Sequence, residues 1–211
     1  MSLVQQLSVW ALPVLAAIIL HEVAHGFVAW RLGDPTAARM GRLTLNPLPH
    51  VDPFGTVLLP LLLIVTHAPF LFGWARPVPV NFANLRNPRR DMVLVAMAGP
   101  LTNALLALVS ATVFKWILSV HLANDGAFTP VLVAVAQNSV IVNVVLAVFN
   151  LLPILPLDGG RVLAGLLPAG PAIAFARLEP FGLMIVLLLL VTNTLGHVVG
   201  PVVAAFLRVL L

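Results

Sequence analysis

Charged residues are scarce in this sequence. Asp, Glu, Lys and Arg together make up 9% of its 211 residues, while 61% are hydrophobic and the mean hydropathy is +1.08. A soluble globular domain contains roughly a quarter charged residues. The composition therefore excludes an ordinary soluble domain and predicts a chain that lies largely within a lipid bilayer.

Cysteine is absent altogether. Its absence excludes disulfide bonds and thiolate-ligated metal sites, and it leaves the redox compartment undetermined. The surplus of basic residues gives a formal net charge of +4. Because no basic stripe interleaved with aromatic residues accompanies that charge, the sequence predicts no nucleic-acid partner.

Long apolar runs take the place of charged segments. Residues 7–30, 92–120 and 131–152 each reach the roughly 20 apolar residues that a membrane-spanning helix needs, and residues 181–191 do so with their flanks. The first run lacks the basic start of a signal peptide and continues to Trp30, so we interpret it as a retained span. The pattern predicts an all-α polytopic membrane protein with about five to six transmembrane helices.

Arginine residues beside these runs indicate the orientation of the chain. Short loops rich in Lys and Arg mark the cytoplasmic side of a membrane. Such residues follow the first run, precede the second and follow the third: Arg31, Arg39 and Arg42, then Arg76, Arg86, Arg89 and Arg90, then Arg161. Since the sequence is helical and shows no organelle-targeting segment, we expect a multi-pass protein of the bacterial inner (plasma) membrane.

Residues 52–72 are apolar but are interrupted by glycine, proline and histidine. A single crossing here would put the two larger arginine clusters on opposite sides of the membrane. We therefore predict a membrane-embedded re-entrant or β-hairpin segment between the first two core helices, with a true span as the alternative. The alternation at residues 42–45 predicts a short strand just before it.

The sequence LHEVAHGFVAW places His21, Glu22 and His25 inside the first apolar run. Histidines four residues apart project from one helix face and can share a zinc ion, while the adjacent glutamate can act as a general base. Chance occurrence of this short string is the alternative, but a glutamate in a membrane helix needs a partner, and the chain has only two glutamates. Catalytic zinc takes three protein ligands, so a third is expected from elsewhere.

Asp158 is the candidate third ligand. It follows the run at 131–152, after Pro153 and Pro156, which interrupt the helix and free backbone groups where a cavity can form. An alternative role for this aspartate is to cap the short helix that follows, since Asp is a good N-cap residue. The residues alone leave both roles open.

The two motifs together resemble a known family. Residues 150–159 read Asn-Leu-Leu-Pro-Ile-Leu-Pro-Leu-Asp-Gly. With HExxH on an earlier helix, this is similar to the paired signature of the site-2 proteases, which are intramembrane zinc metalloproteases with an Asn-x-x-Pro-x-x-x-Leu-Asp-Gly segment. AGPLTN at residues 98–103 also resembles the Gly-Pro-x-x-Asn of their intervening helix. The likeness is to the compact bacterial type without a PDZ domain.

The resemblance implies a role for each matching position. His21, His25 and Asp158 would bind Zn²⁺, and Glu22 would deprotonate the attacking water and pass the proton to the leaving amine. Asn150 would lie near the metal and hydrogen-bond the substrate or the developing oxyanion. Because the active-site residues come late in an inward-running first helix, the site is expected nearer the cytoplasmic face.

The resemblance also implies a domain plan and an activity. One integral-membrane protease domain would occupy residues 1–211, with a catalytic core at about 7–167 and C-terminal hydrophobic helices at about 171–211, including a span near 177–195. Its activity would be hydrolysis of peptide bonds in or near transmembrane segments, that is, regulated intramembrane proteolysis. Its partners would be a transmembrane protein substrate and the lipid bilayer; the sequence indicates neither the substrate nor the oligomeric state.

Two other functions remain open at this point. A metal-ion or solute transporter would use the same His, Glu and Asp as an ion path, and it predicts such residues at matching depths on several spans. A catalytically inactive relative would serve as a binding module, which the retained Glu22 disfavours. If the protein is a protease, its substrate helix must unfold locally, and the edge of a strand at residues 42–45 would hold it extended.

Overall fold

The structure is a computed structural model that describes residues 3–67, 73–121 and 129–211. Within these ranges the chain is helical and no residue lies in a β-strand. The helices are α1 (Leu3–Arg31), α2 (Thr36–Arg39), α3 (Leu59–Val65), α4 (Pro88–His121), α5 (Thr129–Asn150), α6 (Asp158–Leu166), α7 (Ala169–Ala176), α8 (Gly182–Val191) and α9 (Thr194–Leu210). Three-residue 3-10 helices lie at Leu48–His50, Phe82–Asn84 and Glu179–Phe181, and a π-helical turn, Pro53–Leu58, leads into α3.

Four stretches of the described chain are long and apolar enough to cross a bilayer. They are Ser8–Arg31, Pro88–Val120, Thr129–Asn150 and Ala169–Val191. Two shorter apolar helical stretches, Pro53–Val65 and Thr194–Leu210, accompany them. The prediction of an all-α polytopic membrane protein is confirmed, whereas the count of five to six transmembrane helices stays a prediction.

The first helix ends where the sequence predicts. Its last turn is closed by Gly33, whose φ of +116° suits glycine far better than any residue with a side chain. The backbone N–H of Asp34 then donates to the carbonyl of Ala29 at 2.9 Å. This turn directs the chain away from α1 and toward the loop that later covers the site.

Helices α1, α4 and α5 form the central bundle, and small residues line their contacts. Lipid tails are as apolar as leucine, so membrane helices associate mainly through close packing of small side chains. Ala107 and Ala111 of α4 pack against Val140 and Val144 of α5, all at most 5% exposed. The C-terminal helix α9 packs against the same cluster through three partly buried residues, Val203, Leu207 and Leu210.

Two predicted elements differ from the structure. Residues 42–45 do not form a strand, because Arg42 donates to the carbonyls of Arg76 and Pro77 and Leu43 packs against Gly26 of α1. The span expected near 177–195 lies at Ala169–Val191 instead. It starts earlier because residues 169–176 are apolar, and it stops at Val191 because Asn193 takes a left-handed conformation with φ 56°.

The segment predicted to re-enter the membrane is described except for residues 68–72, which lie outside the described ranges. Asp52 caps its first turn by accepting from the backbone of Phe54 and Gly55. The chain then comes back to its own start, since Trp74 N–H donates to Gly55 O at 3.1 Å and Thr56 Oγ1 donates to Trp74 O at 2.8 Å. The placement of this segment relative to a bilayer stays a prediction.

Candidate metal centre

The two histidines of α1 lie side by side in the bundle interior. His21 is 6% exposed and His25 is 8% exposed. Their rings meet edge to face, with 81° between the ring planes, and the two Nε2 atoms are 3.0 Å apart. Both imidazoles therefore converge on one point, as the four-residue spacing predicts.

Asp158 reaches the same point from the start of α6. Its Oδ2 atom lies 3.1 Å from His21 Nε2 and 3.3 Å from His25 Nε2. Asp158 is the first residue of α6, and no side-chain hydrogen bond caps that helix. The carboxylate is thus turned toward the histidines rather than used as a helix cap.

A close approach of α6 to the end of α5 allows this arrangement. A Cβ atom on Gly159 would collide with the carbonyl of Leu151, and one on Gly160 would lie 2.5 Å from the backbone of Ile154 and Leu155. Only glycine leaves room for the start of α6 to pack on this backbone. The two glycines after Asp158 therefore position the carboxylate.

Helix α4 supplies the acceptors behind the two imidazoles. His25 Nδ1 donates to the carbonyl of Val95 at 2.7 Å, and His21 Nδ1 lies 2.5 Å from Asn103 Oδ1. A carbonyl oxygen can only accept, so the proton of His25 sits on Nδ1 and the lone pair of Nε2 faces the centre. Outer contacts of this kind orient metal-ligating histidines.

Gly99 of α4 is a site residue to which the sequence motifs assign no role. A Cβ atom there would collide with His25 Nε2 and lie 2.5 Å from His21 Cε1. Glycine is thus required for α4 to pass directly behind the imidazole pair. The stretch AGPLTN, in which Gly99 lies, was the available signal.

The residues present fit a zinc ion. The three facing atoms form a triangle with sides of 3.0, 3.1 and 3.3 Å, and ligands about 2.0–2.1 Å from a tetrahedral zinc are roughly 3.3–3.4 Å apart. Asp158 Oδ2 is buried, and no donor among the described residues satisfies it. Two nitrogen lone pairs and a carboxylate oxygen, buried together, need a cation between them.

Glu22 and Asn150 line the cavity that opens beside this triangle. The cavity has a volume of about 620 Å³ and is also lined by His21, His25 and Asp158. Glu22 is half-buried, and its Oε2 accepts from the backbone N–H of Val78 at 2.7 Å. Asn150, the last residue of α5, donates from Nδ2 to Leu146 O at 3.0 Å. All five residues predicted for the site therefore border one cavity.

The opposite wall of the cavity is a non-helical segment, residues 73–80, which we call the strap. Arg42, only 7% exposed, holds it from behind through Nη2, which donates to Arg76 O at 2.9 Å and to Pro77 O at 3.2 Å. Arg76 N–H donates in turn to His50 O at 2.8 Å. The sequence predicts Arg42 as a marker of topology and as part of a short strand, and no pattern in the sequence indicates this contact.

Asp34 fixes the chain just after the strap. Its carboxylate is fully buried and accepts from the backbone N–H of Asn81 at 2.7 Å, from Asn84 at 2.9 Å and from Thr36. Burial acts to raise the pKa of Asp34, but these hydrogen bonds outweigh burial and hold that pKa below its ordinary value. The carboxylate therefore stays ionised and anchors the loop.

An ion pair lies at the rim of the cavity. Arg161 Nη2 is 3.0 Å from Glu179 Oε1, and the guanidinium lies 5.3 Å from the centre of the Phe82 ring. Arg161 belongs to α6, three residues after Asp158, while Glu179 lies in the turn before α8. This contact therefore ties the helix that carries Asp158 to the C-terminal helices.

Comparison with known proteins identifies similar chains. The sequence model of the family described as "Peptidase family M50" matches residues 117–192 of this chain. The chain is 38% identical over 194 residues to "Putative zinc metalloprotease YwhC" of Bacillus subtilis, covering 92% of this chain and 85% of that protein. It is 32% and 33% identical to proteins named "Putative zinc metalloprotease Rip2" from Mycolicibacterium smegmatis and Mycobacterium tuberculosis, and spans 66% of the length of each. No solved structure matches it.

Proposed function

This chain belongs to peptidase family M50, the site-2 proteases, and is a zinc metalloprotease with several membrane helices; we propose that it cleaves peptide bonds in or near the transmembrane segments of other membrane proteins. The observation that carries the proposal is the placement of the metal triangle and Glu22 on one cavity bordered by apolar helices. Such cleavage inside the membrane is the chemistry of regulated intramembrane proteolysis.

His21, His25 and Asp158 would hold the zinc ion. When bound there, zinc supplies Lewis acidity that polarises a peptide carbonyl and makes water more acidic. Each ligand is held from behind: Val95 O and Asn103 Oδ1 orient the imidazoles, and the packing of Gly159 places the carboxylate. The site is therefore ordered before substrate arrives.

Glu22 is the general base. Its carboxylate removes a proton from the attacking water as the oxygen bonds to the scissile carbonyl carbon, and it returns that proton to the leaving amine as the C–N bond breaks. The Val78 N–H binds one carboxylate oxygen at 2.7 Å and so fixes the direction in which Glu22 points. The other oxygen, Oε1, would take the proton from the attacking water.

Asn150 would assist at the developing oxyanion. Its side chain borders the cavity at the end of α5, where its amide is held by Leu146 O. An amide N–H aimed at the carbonyl oxygen stabilises the charge that builds up there. A substrate helix must expose that carbonyl first, and the cavity walls offer room for an unwound segment.

The positions of the arginine residues support an orientation of the protein in the membrane. Arg31 ends α1, and with a rise of about 1.5 Å per residue the two histidines lie roughly 9–15 Å from that end. Arg31, Arg42 and Arg76 all lie between the end of α1 and the start of α4. Under the positive-inside rule this supports a site nearer the cytoplasmic face of a bacterial inner membrane. The substrate is then a membrane protein with a span that can reach this depth.

The test measures zinc content and cleavage together. Purified wild type, His21→Ala, Asp158→Ala and Glu22→Gln are compared, in liposomes, on single-span peptides carrying a fluorophore at each end. We expect about one zinc per chain in the wild type, a sharp loss in His21→Ala and Asp158→Ala, and zinc retained in Glu22→Gln with cleavage reduced at least about 10³-fold.

His197→Ala is the matched control, because this exposed histidine of α9 bonds only to Asn193 O of its own turn among the described residues. It should keep both zinc and cleavage. Undiminished zinc in a folded Asp158→Ala would remove the third ligand. Undiminished cleavage in Glu22→Gln would remove the general base, and zinc-dependent ion flux without cleavage would favour the transporter alternative.

A further inference from the structure

A chain of buried polar side chains leads away from the metal site into the bundle. Asn103 of α4 is fully buried and Asn143 of α5 is 2% exposed. Asn103 Nδ2 donates to Asn143 Oδ1 at 2.8 Å and to Ala17 O at 3.2 Å, while Asn103 Oδ1 faces His21 Nδ1 at 2.5 Å. Helices α1, α4 and α5 are thus joined through one asparagine that touches a metal-site histidine.

The orientation of each amide follows from its neighbours. Asn143 Nδ2 donates to the carbonyl of Ser139 at 2.8 Å, so the oxygen of Asn143 must face Asn103. Asn103 therefore presents its NH₂ group to that oxygen and to the carbonyl of Ala17, and its own oxygen is left to accept from His21. The proton of His21 consequently sits on Nδ1, and the lone pair of Nε2 faces the metal position.

A reversed Asn103 amide would favour the other tautomer of His21. Its oxygen would then face two acceptors, Asn143 Oδ1 and Ala17 O, and its NH₂ group would face His21 Nδ1. That nitrogen would have to accept, which moves the imidazole proton to Nε2, where it competes with a metal ion. In the low dielectric of the bundle, the two mismatched contacts exclude this reversal.

We propose that Asn143 is a positioning residue for the metal site: it fixes the side-chain amide of Asn103 and, through it, the tautomer of His21. The inference rests on the proposed binding of zinc by His21. Asn143 lies outside the sequence motifs, does not line the cavity and, among the described residues, hydrogen-bonds to no proposed metal ligand. It therefore acts on the metal site through Asn103. Replacement by alanine leaves Ala17 O as the single acceptor that opposes reversal of Asn103.

The same helix offers a matched control. Asn138 of α5 is also buried, at 9% exposure, and it also hydrogen-bonds to a neighbouring helix: its Nδ2 donates to the carbonyl of Val9 in α1 at 2.9 Å. It therefore contributes the same kind of helix-to-helix hydrogen bond in the membrane. Since its contact lies away from Asn103, Asn138→Ala reports the cost of lost packing alone.

The experiment compares zinc affinity with stability of the zinc-free protein. Wild type, Asn143→Ala, Asn143→Asp and Asn138→Ala are titrated with zinc against a competing chelator, and the melting temperature of each zinc-free protein is measured. Loss of a residue that orients a metal ligand costs 10–100-fold in metal affinity. We expect about a tenfold weaker zinc affinity for Asn143→Ala and less than about a twofold change for Asn138→Ala, at similar losses of melting temperature.

Asn143→Asp is the rescue variant. It keeps an oxygen acceptor that faces Asn103, so its zinc affinity should stay within about threefold of wild type. Nitrogen-15 NMR of zinc-free protein labelled at histidine gives an independent signature: Asn143→Ala should shift His21 toward the tautomer with the proton on Nε2. If Asn143→Ala does not fold, Asn143→Ser, whose shorter side chain cannot make the 2.8 Å contact, replaces it.

Equal zinc affinities in Asn143→Ala and Asn138→Ala, or an unchanged His21 tautomer, would overturn the inference while leaving the proposed function intact. A wild type that binds no zinc would overturn the proposed function, and this inference with it. A selective loss in Asn143→Ala that Asn143→Asp restores would establish the positioning role.

Discussion

The two walls of the cavity beside the proposed metal site are built differently. The helical wall, formed by α1, α4 and the start of α6, holds His21, His25 and Asp158 through side-chain contacts and close backbone packing at Gly99 and Gly159. The strap wall, residues 73–80, has no regular secondary structure, and its backbone is held by hydrogen bonds with other segments of the chain.

This difference separates two tasks. A metal site needs ligands fixed to within a fraction of an ångström, which packed helices provide. A protease that admits an unwound transmembrane segment also needs a wall that can adjust, and a segment without helical hydrogen bonds of its own opens at a lower free-energy cost than a packed helix. Glu22, the proposed general base, lies between the two: its backbone belongs to α1, while its carboxylate accepts from Val78 N–H of the strap.

The largest expected effect comes from the helical wall. Gly99→Ala places a methyl group against both imidazoles, so His21 and His25 must rotate away from Asp158. We expect zinc affinity to fall by at least about 100-fold and cleavage to be lost, because two ligands are displaced at once. The measurement is zinc content after dialysis, together with cleavage of the single-span peptides.

Gly200→Ala in α9 provides the control for Gly99→Ala. Apart from its chain neighbours and the backbone of its own helix, no described atom lies within 4 Å of a Cβ built there, so the same chemical change meets open space. Alanine in a helix interior is favoured over glycine by up to about 1 kcal/mol, so this variant should be at least as stable as wild type. Zinc retained in Gly99→Ala would show that the helices of this wall can shift to accommodate a methyl group, contrary to what their close packing indicates.

A smaller effect is expected from the strap wall. Arg42→Ala removes the guanidinium that holds the carbonyls of Arg76 and Pro77, and the Val78 N–H then loses its fixed position beside Glu22. We expect cleavage to fall by roughly tenfold while zinc content stays unchanged, since no metal ligand is touched. Cleavage rates and zinc content of the purified variant check this.

Arg39→Ala is the control for Arg42→Ala, because Arg39 carries the same charge but is exposed at the end of α2. Its cleavage rate should match wild type, which separates the position of Arg42 from its charge. Arg42→Lys should restore activity only partly, since the lysine ammonium nitrogen ends one bond short of the Nη2 atom that donates to both carbonyls. Loss of zinc in Arg42→Ala would contradict the division of tasks between the walls.

The helical wall is also the part that the sequence predicts. Three spans lie within a few residues of their predicted positions, because twenty apolar residues in a row have no other stable place than a bilayer helix. His21, His25 and Asp158 converge as expected, since the first pair shares a helix face and the third residue follows a proline-broken helix end. The family resemblance added the pairing of these two motifs.

The strap wall escaped prediction for a physical reason. The contact between Glu22 and Val78 joins residues far apart in the chain, and the strap has no periodicity that a pattern can reveal. The prediction at residues 42–45 failed for a similar reason. Their alternation predicts a strand, but Arg42 hydrogen-bonds to carbonyls of the strap, and no strand partner lies in the described chain. Gly99 and Asn143 matter through packing and hydrogen bonds that only the folded bundle creates.

The smallest effect is expected at the rim, where both walls meet the C-terminal helices. Glu179→Gln removes the charge that pairs with Arg161, but the side chains are 31% and 42% exposed. Partly exposed ion pairs contribute about 0–1 kcal/mol, and the contact of Arg161 with the Phe82 ring remains in the variant. We expect cleavage within about threefold of wild type and unchanged zinc content, measured over a range of salt concentrations. A much larger loss of cleavage would show that the contact between α6 and the turn before α8 controls entry of the substrate, and the strap would then not be the only adjustable wall of the cavity.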